Sequence, residues 1–297
     1  MFTGSLVALV TPMHIDGSID WQALEALINW HIASQTQAIV VAGTTGEAAT
    51  LTLDEHKAIM RFCVDIANDR IPIIAGAGAN ATARAIELTL AAYHCGCAAS
   101  LQVTPYYNRP PQRGLYAHFA KIAAAAPLPM ILYNVPTRTA CDIALETVTA
   151  LAKITHIIGI KEATPHARLA QIRQLFPKNQ SFKIYGGEDA LCAQAACEGL
   201  IDGVISVTAN VAPEAMQNMM HCALNGDLKQ AQAINQRLAA LHESLFCETN
   251  PIAVKWALQR MGKIAAGIRL PLMPLDERWH ESLTAALVAA GITIQTH

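Results

Sequence analysis

The segment HIIGIKEAT, residues 156–164, shows the unit from which this chain is built. It is a short apolar run of β-forming residues, and a helical pattern at Ala167–Phe176 follows it. Nearly continuous apolar runs are typical of strands that are covered on both faces, as in a parallel sheet. The segment therefore predicts one strand–helix unit of an α/β protein.

Seven further strand–helix units lie on either side of this segment. Their predicted strands are Ser5–Pro12, Ala38–Thr45, Ile71–Gly78, Ala99–Tyr107, Pro129–Pro136, Phe182–Asp189 and Asp202–Asn210. Their predicted helices begin near Trp21, Asp54, Ala81, Pro111, Leu145, Ala190 and Pro213, with Asp54 as an N-cap. Eight alternating units favour an α/β fold of the (β/α)8 TIM barrel type. An open doubly wound sheet is the alternative, although no G-x-G-x-x-G motif follows the first predicted strand.

The length of the chain fits one barrel with an extension. A barrel takes roughly 250 residues, and the chain has 297. Residues 226–297 predict three amphipathic helices, and no linker separates them from the barrel predicted over residues 1–225. We expect the C-terminal helices to pack on the barrel as part of the same domain.

The composition predicts a globular protein without a nucleic-acid or membrane partner. Hydrophobic residues make up 53% of the sequence and charged residues 15%, which suits a large core. The net charge is −2 and no basic stripe is present, so nothing favours nucleic acid. The first apolar run stops at Thr11-Pro12 and is too short for a signal peptide or a membrane span. We therefore expect a cytoplasmic location.

The eight cysteines are expected to be reduced thiols rather than disulfides or metal ligands. None forms a C-x-x-C pair. The stretch His94-Cys95-Gly96-Cys97 comes nearest to a zinc site, but zinc sites usually need a second ligand pair at a set distance. Buried thiols in a reducing compartment explain the pattern better.

Lys161 is the most informative residue of the sequence because it interrupts an apolar strand. Burial of an ammonium is costly, so burial lowers the pKa of a lysine and favours the neutral amine. A neutral amine beside a carbonyl group is a Schiff-base nucleophile. The structural alternative is an ion pair with Glu162, but neighbouring residues of a strand point to opposite faces.

Other polar side chains follow the predicted strands at their carboxyl ends, where barrel enzymes have their active sites. The Tyr133 phenol is suited to proton transfer, or else it caps the barrel core. The pair Thr44-Thr45 can hold a carboxylate through amides and hydroxyls, or else it forms a simple turn. Arg138 suits a bidentate carboxylate, or else it is a solvated surface residue. The pair Tyr106-Tyr107 fits a packing or interface role as well as it fits a role in the active site.

Five segments together resemble the dihydrodipicolinate synthase family of pyruvate-dependent class I aldolases, which also holds N-acetylneuraminate lyase. The matching segments are Gly43–Glu47, Val103–Pro110, Leu132–Thr139, Gly159–Ala163 and Gly203–Asn210. Each alone is a weak signal, but the five occur in the order that the family shows. The resemblance continues through the helical tail, which includes Asn250-Pro251.

The resemblance implies catalytic roles for four side chains. Lys161 would form a Schiff base with pyruvate. Tyr133, Thr44 and Tyr107 would form a proton relay, with Tyr107 reaching in from a neighbouring subunit. The family implies a homotetramer, built as a dimer of tight dimers.

The resemblance also implies how two substrates are held. Thr45 would hold the carboxylate of pyruvate, and Arg138 would receive the carboxylate of L-aspartate 4-semialdehyde. Gly187 and Ile205 would offer backbone carbonyls near the site. No metal or organic cofactor is expected, because the imine itself acts as the electron sink.

Three other functions remain open at this point. A related aldolase that cleaves sialic or keto-deoxy sugar acids would need neutral groups for a polyol, whereas Arg138 suits a second carboxylate. A non-catalytic binding barrel would have no need for Lys161, Tyr133 and Thr44 together. A pyridoxal phosphate enzyme would need a phosphate loop near the last two strands, and none is evident.

The sequence departs from the family at an allosteric pocket for lysine. The resemblance places that pocket, in lysine-inhibited bacterial members, at the tight dimer interface. Matching residues here are Ala49, His56, Gly78, Asn80 and Tyr106. Two positions differ, because Leu53 stands in place of a histidine and Arg84 in place of a glutamate that faces the ammonium of lysine. We expect a degenerate pocket with weak or absent inhibition by lysine.

Overall fold

Eight parallel strands close into a barrel in the computed structural model, which describes residues 2–178 and 180–295. They are β1 (Gly4–Ala8), β2 (Ala38–Val41), β3 (Ile73–Gly76), β4 (Ala99–Val103), β5 (Met130–Asn134), β6 (Ile157–Glu162), β7 (Lys183–Gly186) and β8 (Gly203–Ser206). Each strand pairs with the next, and β1 also pairs with β8. The predicted (β/α)8 TIM barrel is therefore confirmed.

Helices follow the strands and continue beyond the barrel. Those of the barrel are α1 (Trp21–Ala33), α2 (Leu53–Ala67), α3 (Thr82–Cys95), α4 (Gln112–Ala125), α5 (Pro136–Thr139), α6 (Leu145–Leu151), α7 (His166–Leu175), α8 (Asp189–Cys197) and α9 (Pro213–Leu224). Those after it are α10 (Leu228–Ser244), α11 (Ile252–Arg260) and α12 (His280–Ala289), as predicted. Thr296 and His297, the end of the predicted extension, lie outside the described residues. Within residues 2–178 and 180–295, no helix has the length and apolarity needed to cross a bilayer.

Side chains that alternate along the strands divide the core into two layers. Ile131 and Tyr133 of β5 and Ile205 of β8 pack inside the barrel. Leu132 packs outside it, in the larger cluster that the helices cover. Because successive side chains of a strand point to opposite faces, this alternation decides which residues can reach the centre of the barrel.

The predicted strands are too long at their carboxyl ends. β2 ends at Val41 rather than at Thr45, and β4 ends at Val103 rather than at Tyr107. Ala42 has a φ of 51° and Tyr107 a φ of 73°, which is left-handed backbone that a strand does not contain. The residues beyond each strand form loops at the mouth of the barrel.

Helix α2 begins before the predicted cap. Its N-cap is Thr52, and Asp54 lies within the first turn, so the prediction of Asp54 as N-cap is wrong. The Thr52 hydroxyl accepts a hydrogen bond from the Glu55 amide at 3.2 Å, and the Glu55 carboxylate accepts one from the Thr52 amide at 2.8 Å. This reciprocal pair is a capping box, and it satisfies two amides where Asp54 would satisfy one.

Candidate active site

Lys161 lies inside the barrel near the carboxyl end of β6. Its partners in register are Tyr133 on β5 and Tyr185 on β7, and its side chain is buried. The Nζ atom lies 4.6 Å from the centroid of the Tyr133 ring. An amine is therefore held at the active end of the barrel among aromatic and aliphatic groups.

The alternative role of Lys161, an ion pair with its neighbour in sequence, is not observed. Glu162 points outward, where it accepts a hydrogen bond from the Asn134 side chain at 2.8 Å and lies 3.9 Å from Arg168. Burial raises the pKa of Glu162 to about 7. The prediction that strand alternation separates the two side chains is confirmed.

Burial lowers the pKa of Lys161 to about 8, because the ammonium loses its hydration. The carboxylates of Asp189 and Glu188 oppose this shift, and the guanidinium of Arg138 adds to it. At pH 7 about a tenth of such amines are neutral, against roughly one in 3,000 at the ordinary value of 10.5. The environment thus supplies a nucleophilic amine at neutral pH.

Asp189 is a site residue for which the sequence suggested no role. Its buried carboxylate accepts hydrogen bonds from the backbone amides of Val207 at 2.9 Å and Thr208 at 2.8 Å. It joins the start of α8 to the loop after β8, and it opposes the lowering of the Lys161 pKa. The sequence feature that could have indicated a role for it is the pair of adjacent acidic residues that follows two glycines at the end of β7.

The Tyr133 ring packs inside the barrel against the Lys161 amine. Burial raises the pKa of Tyr133 to about 12, although the charge of Arg138 and a hydrogen bond with Thr44 both lower it. The phenol is therefore protonated at neutral pH and can pass its proton along the Thr44 hydroxyl. The structure places Lys161 against the Tyr133 ring, and Tyr133 and Thr44 line the same cavity.

Thr45 and Arg138 are linked by one residue of the C-terminal extension. The Asn250 side-chain amide donates to the Thr45 hydroxyl oxygen at 3.0 Å. The Arg138 guanidinium donates to the backbone carbonyl of Asn250 at 3.2 Å. Arg138 lies on the single-turn helix α5, which the sequence did not predict, and it is exposed at the mouth of the barrel. The sequence indicates no role for Asn250 in the site, because its partners are far away along the chain.

Three further residues were predicted for the site, namely Ile205, Gly187 and Tyr107. Ile205 is buried inside the barrel, and Gly187 packs so closely on Ala163 that a Cβ would come within 2.7 Å of its Cβ. Tyr107 is 91% exposed on the loop after β4. Within a single chain, therefore, the structure does not bring the Tyr107 side chain into the barrel beside Lys161.

A cavity of about 520 Å³ opens at the mouth of the barrel and joins two predicted sites. Thr44, Tyr133 and Arg138 line one part of it. Its lining also includes residues of the predicted degenerate pocket, which are Ala49, Leu53, His56, Gly78, Arg84 and Tyr106. Asn80, the other pocket residue, accepts a hydrogen bond at its carbonyl from the Asn108 side chain at 2.8 Å.

Comparison with known proteins gives consistent matches along the chain. The model of the dihydrodipicolinate synthetase family matches residues 1–290. A 4-hydroxy-tetrahydrodipicolinate synthase of Nitrosococcus oceani is 56% identical over 97% of this chain and 98% of its own. One of Ralstonia nicotianae is 50% identical over 98% of each chain.

A solved structure matches the fold over almost its full length. It is the chloride-inhibited dihydrodipicolinate synthase of Acinetobacter baumannii in complex with pyruvate, with a TM-score of 0.96 and 50% sequence identity. The match covers 99% of this chain and 100% of that chain. Fold and sequence therefore agree on the same group of relatives.

Proposed function

The chain belongs to the dihydrodipicolinate synthetase family, and we propose that it condenses pyruvate with L-aspartate 4-semialdehyde through a Schiff base on Lys161. The product is 4-hydroxy-tetrahydrodipicolinate, in the diaminopimelate route to lysine. The observation that carries the proposal is the buried amine of Lys161, held beside the Tyr133 phenol at the active end of the barrel. An assay of the purified chain with both substrates tests it. Turnover of a sialic acid with none of the semialdehyde would contradict it.

The reaction proceeds through intermediates that stay covalently bonded to the nitrogen of Lys161. The neutral Lys161 amine adds to the keto carbon of pyruvate, and loss of water leaves an imine. The imine loses a methyl proton to give an enamine, whose carbon attacks the aldehyde carbon of the second substrate. The π bond of the aldehyde breaks, its oxygen takes up a proton to become a hydroxyl, and the imine re-forms. The amine of that substrate then displaces Lys161 from the imine carbon, which closes the ring and frees the enzyme.

The proton transfers fall to hydroxyl groups. The Tyr133 ring lies against Lys161 and lines the same cavity as Thr44, so the phenol can protonate the leaving hydroxyl of the carbinolamine. Tyr107 would complete this relay from a second subunit. Its exposed side chain on the loop after β4 supports that role, since it is free to extend away from its own barrel. The proposed assembly is a homotetramer formed by two tight dimers.

Two further proposals concern the setting of the enzyme. We assign the barrel and residues 226–297 to one domain, because α10 packs on α8 and α9. We assign the enzyme to the cytoplasm, because all eight cysteines are free thiols, as is usual in a reducing compartment.

The pH dependence of catalysis should report the amine. Because the protonated lysine cannot attack, kcat/KM for pyruvate should rise with pH and level off above an apparent pKa of about 8. Removing the Glu188 carboxylate with Glu188→Gln should move the midpoint to lower pH, since that charge favours the ammonium. Glu87→Gln, on the surface of α3, is the matched control. A midpoint above pH 10 would show that the amine is not desolvated.

The two substrate carboxylates should depend on different residues. Arg138→Ala should lower kcat/KM for the semialdehyde about 10- to 100-fold, because a hydrogen bond to a charged group contributes roughly 1.5–3 kcal/mol. The KM for pyruvate should change far less. Arg138→Lys keeps the charge but loses the planar guanidinium group. Its kcat/KM for the semialdehyde should therefore lie between the values of the parent and of Arg138→Ala. Equal losses for both substrates would reject this assignment of Arg138.

Feedback by lysine should be weak. Arg84 lines the outer part of the cavity and pairs with Glu87 at 3.2 Å, so it brings positive charge where an ammonium would bind. Loss of an acidic partner removes roughly 1.5–3 kcal/mol. With the polar partner missing at Leu53 the combined loss exceeds about 3 kcal/mol, or more than about 100-fold in affinity.

The strength of inhibition by lysine is measured by titrating the enzyme's activity with lysine into the millimolar range. Half-inhibition at submillimolar lysine would show that Leu53 and Arg84 leave the pocket functional. The double variant Arg84→Glu with Leu53→His should gain sensitivity to lysine.

A further inference from the structure

We propose that Asn250 is a positioning residue, whose side-chain amide aims the Thr45 hydroxyl at the carboxylate of pyruvate. The inference rests on the proposed function, since it requires that Thr45 holds that carboxylate. Asn250 touches no reacting atom in the proposed reaction. It acts only through the orientation of Thr45.

The hydrogen bond between Asn250 and Thr45 has a defined direction. The Asn250 Nδ2 atom donates to the Thr45 Oγ1 atom at 3.0 Å, and Thr45 is buried. A hydroxyl group has one hydrogen to donate and two lone pairs to accept with. Because Nδ2 occupies a lone pair, the Thr45 hydrogen must point elsewhere, and it donates to no acceptor among the described residues. A carboxylate beside Lys161 is an acceptor of the right charge.

The Asn250 amide is poorly explained by stability alone. Asn250 is 5% exposed, and its Oδ1 atom has no hydrogen-bond partner within the described part of the chain. A buried acceptor without a partner is a cost to the folded state. The bond from Nδ2 to Thr45 is the one hydrogen bond that this side chain makes there. A residue retained only for packing would be better served by an apolar side chain of similar size.

Asn250 also stands on a fixed support. It precedes α11, whose Lys255 forms a buried ion pair with Glu47, two residues after Thr45. The Glu47 carboxylate also accepts a hydrogen bond from the Arg269 amide at 3.2 Å. The loop that carries Thr45 is therefore held through Glu47 to two residues of the C-terminal extension, one of them on the helix that follows Asn250.

The contacts of Asn250 separate the two substrates. Its side chain contacts Thr45, whereas Arg138 contacts only its backbone carbonyl, which every substitution retains. A change of the side chain should therefore weaken pyruvate binding and spare the semialdehyde. A residue needed merely for folding would affect both substrates alike.

The test is steady-state kinetics of the full-length chain with both substrates. Asn250→Ala should raise the KM for pyruvate about 3- to 10-fold, as expected for loss of one buried hydrogen bond, and change the KM for the semialdehyde less than about twofold. Asn250→Asp, which is isosteric, should raise the KM for pyruvate more. Its carboxylate would draw the Thr45 hydrogen toward itself and repel the substrate.

A double-mutant cycle decides whether Asn250 acts through Thr45. In a Thr45→Val background, Asn250→Ala should raise the KM for pyruvate no further. An unchanged KM for pyruvate in both Asn250 variants, equal losses for both substrates, or full additivity with Thr45→Val would overturn the proposal. If Asn250→Ala does not fold, the uncharged Asn250→Leu, which is of similar size and offers no donor, takes its place in the same cycle. A parent chain that turns over no semialdehyde would instead refute the proposed function.

Discussion

Replacing Lys161 with alanine should lower kcat by a factor on the order of 10⁴ or more, with both substrates still able to enter the cavity. The reason is that every covalent intermediate of the proposed reaction is bonded to the Nζ atom of Lys161. The Tyr133–Thr44 pair can move protons, but it offers no nucleophile for the keto carbon of pyruvate. Steady-state rates at saturating substrate, with the folded state checked by circular dichroism, measure the effect.

Two variants serve as controls for this loss. Lys161→Arg keeps the positive charge but presents a guanidinium that does not deprotonate, so it should be as inactive as the alanine variant. Lys153→Ala removes an exposed lysine and should leave the rate unchanged. Activity of Lys161→Ala within about tenfold of the parent would mean that another group performs the chemistry.

The second large effect should be a loss of stability when the buried ion pair between Glu47 and Lys255 is broken. The exposed fraction of their side chains is 0% and 5%, and burial lowers the pKa of Lys255 although Glu47 opposes that shift. Lys255→Met would leave the Glu47 carboxylate buried without its cation. Removing one partner of such a pair costs roughly 3–5 kcal/mol of unfolding free energy. Thermal midpoints at a fixed protein concentration would show a large decrease.

An exposed pair provides the comparison for that stability loss. Lys57 and Glu87 lie 3.1 Å apart on the surface, with 38% and 45% of their side chains exposed. Lys57→Met should cost at most about 1 kcal/mol, because water screens the pair. Glu47→Gln combined with Lys255→Met should recover part of the loss, since no charge is left buried. Equal midpoints for Lys255→Met and Lys57→Met would show that the buried pair is not coupled to folding.

The parts of the site that sequence could predict are those that depend on local pattern. An ammonium within an apolar strand identified Lys161, and strand alternation separated it from Glu162. Thr44, Thr45 and Tyr133 were found because the carboxyl ends of barrel strands meet at one face. These rules need only the period of a strand and the topology of the barrel.

The parts that sequence could not predict depend on contacts between distant residues. Asn250 lies 205 positions from Thr45, and Lys255 lies 208 positions from Glu47. No periodicity in the C-terminal helices indicates which side chain will meet the mouth of the barrel. The predicted ends of β2 and β4 were wrong for a different reason. The left-handed backbone at Ala42 and Tyr107 does not show in the pattern of apolar residues along the sequence.

The most direct test of the central claim is reduction with borohydride in the presence of pyruvate, followed by mass mapping of the labelled peptide. Borohydride converts the imine into a stable secondary amine, so the reduced three-carbon acid stays on the nitrogen that formed it. We expect one label per chain, on Lys161, together with loss of activity. A label on another lysine, or none on the parent chain, would contradict the Schiff-base assignment.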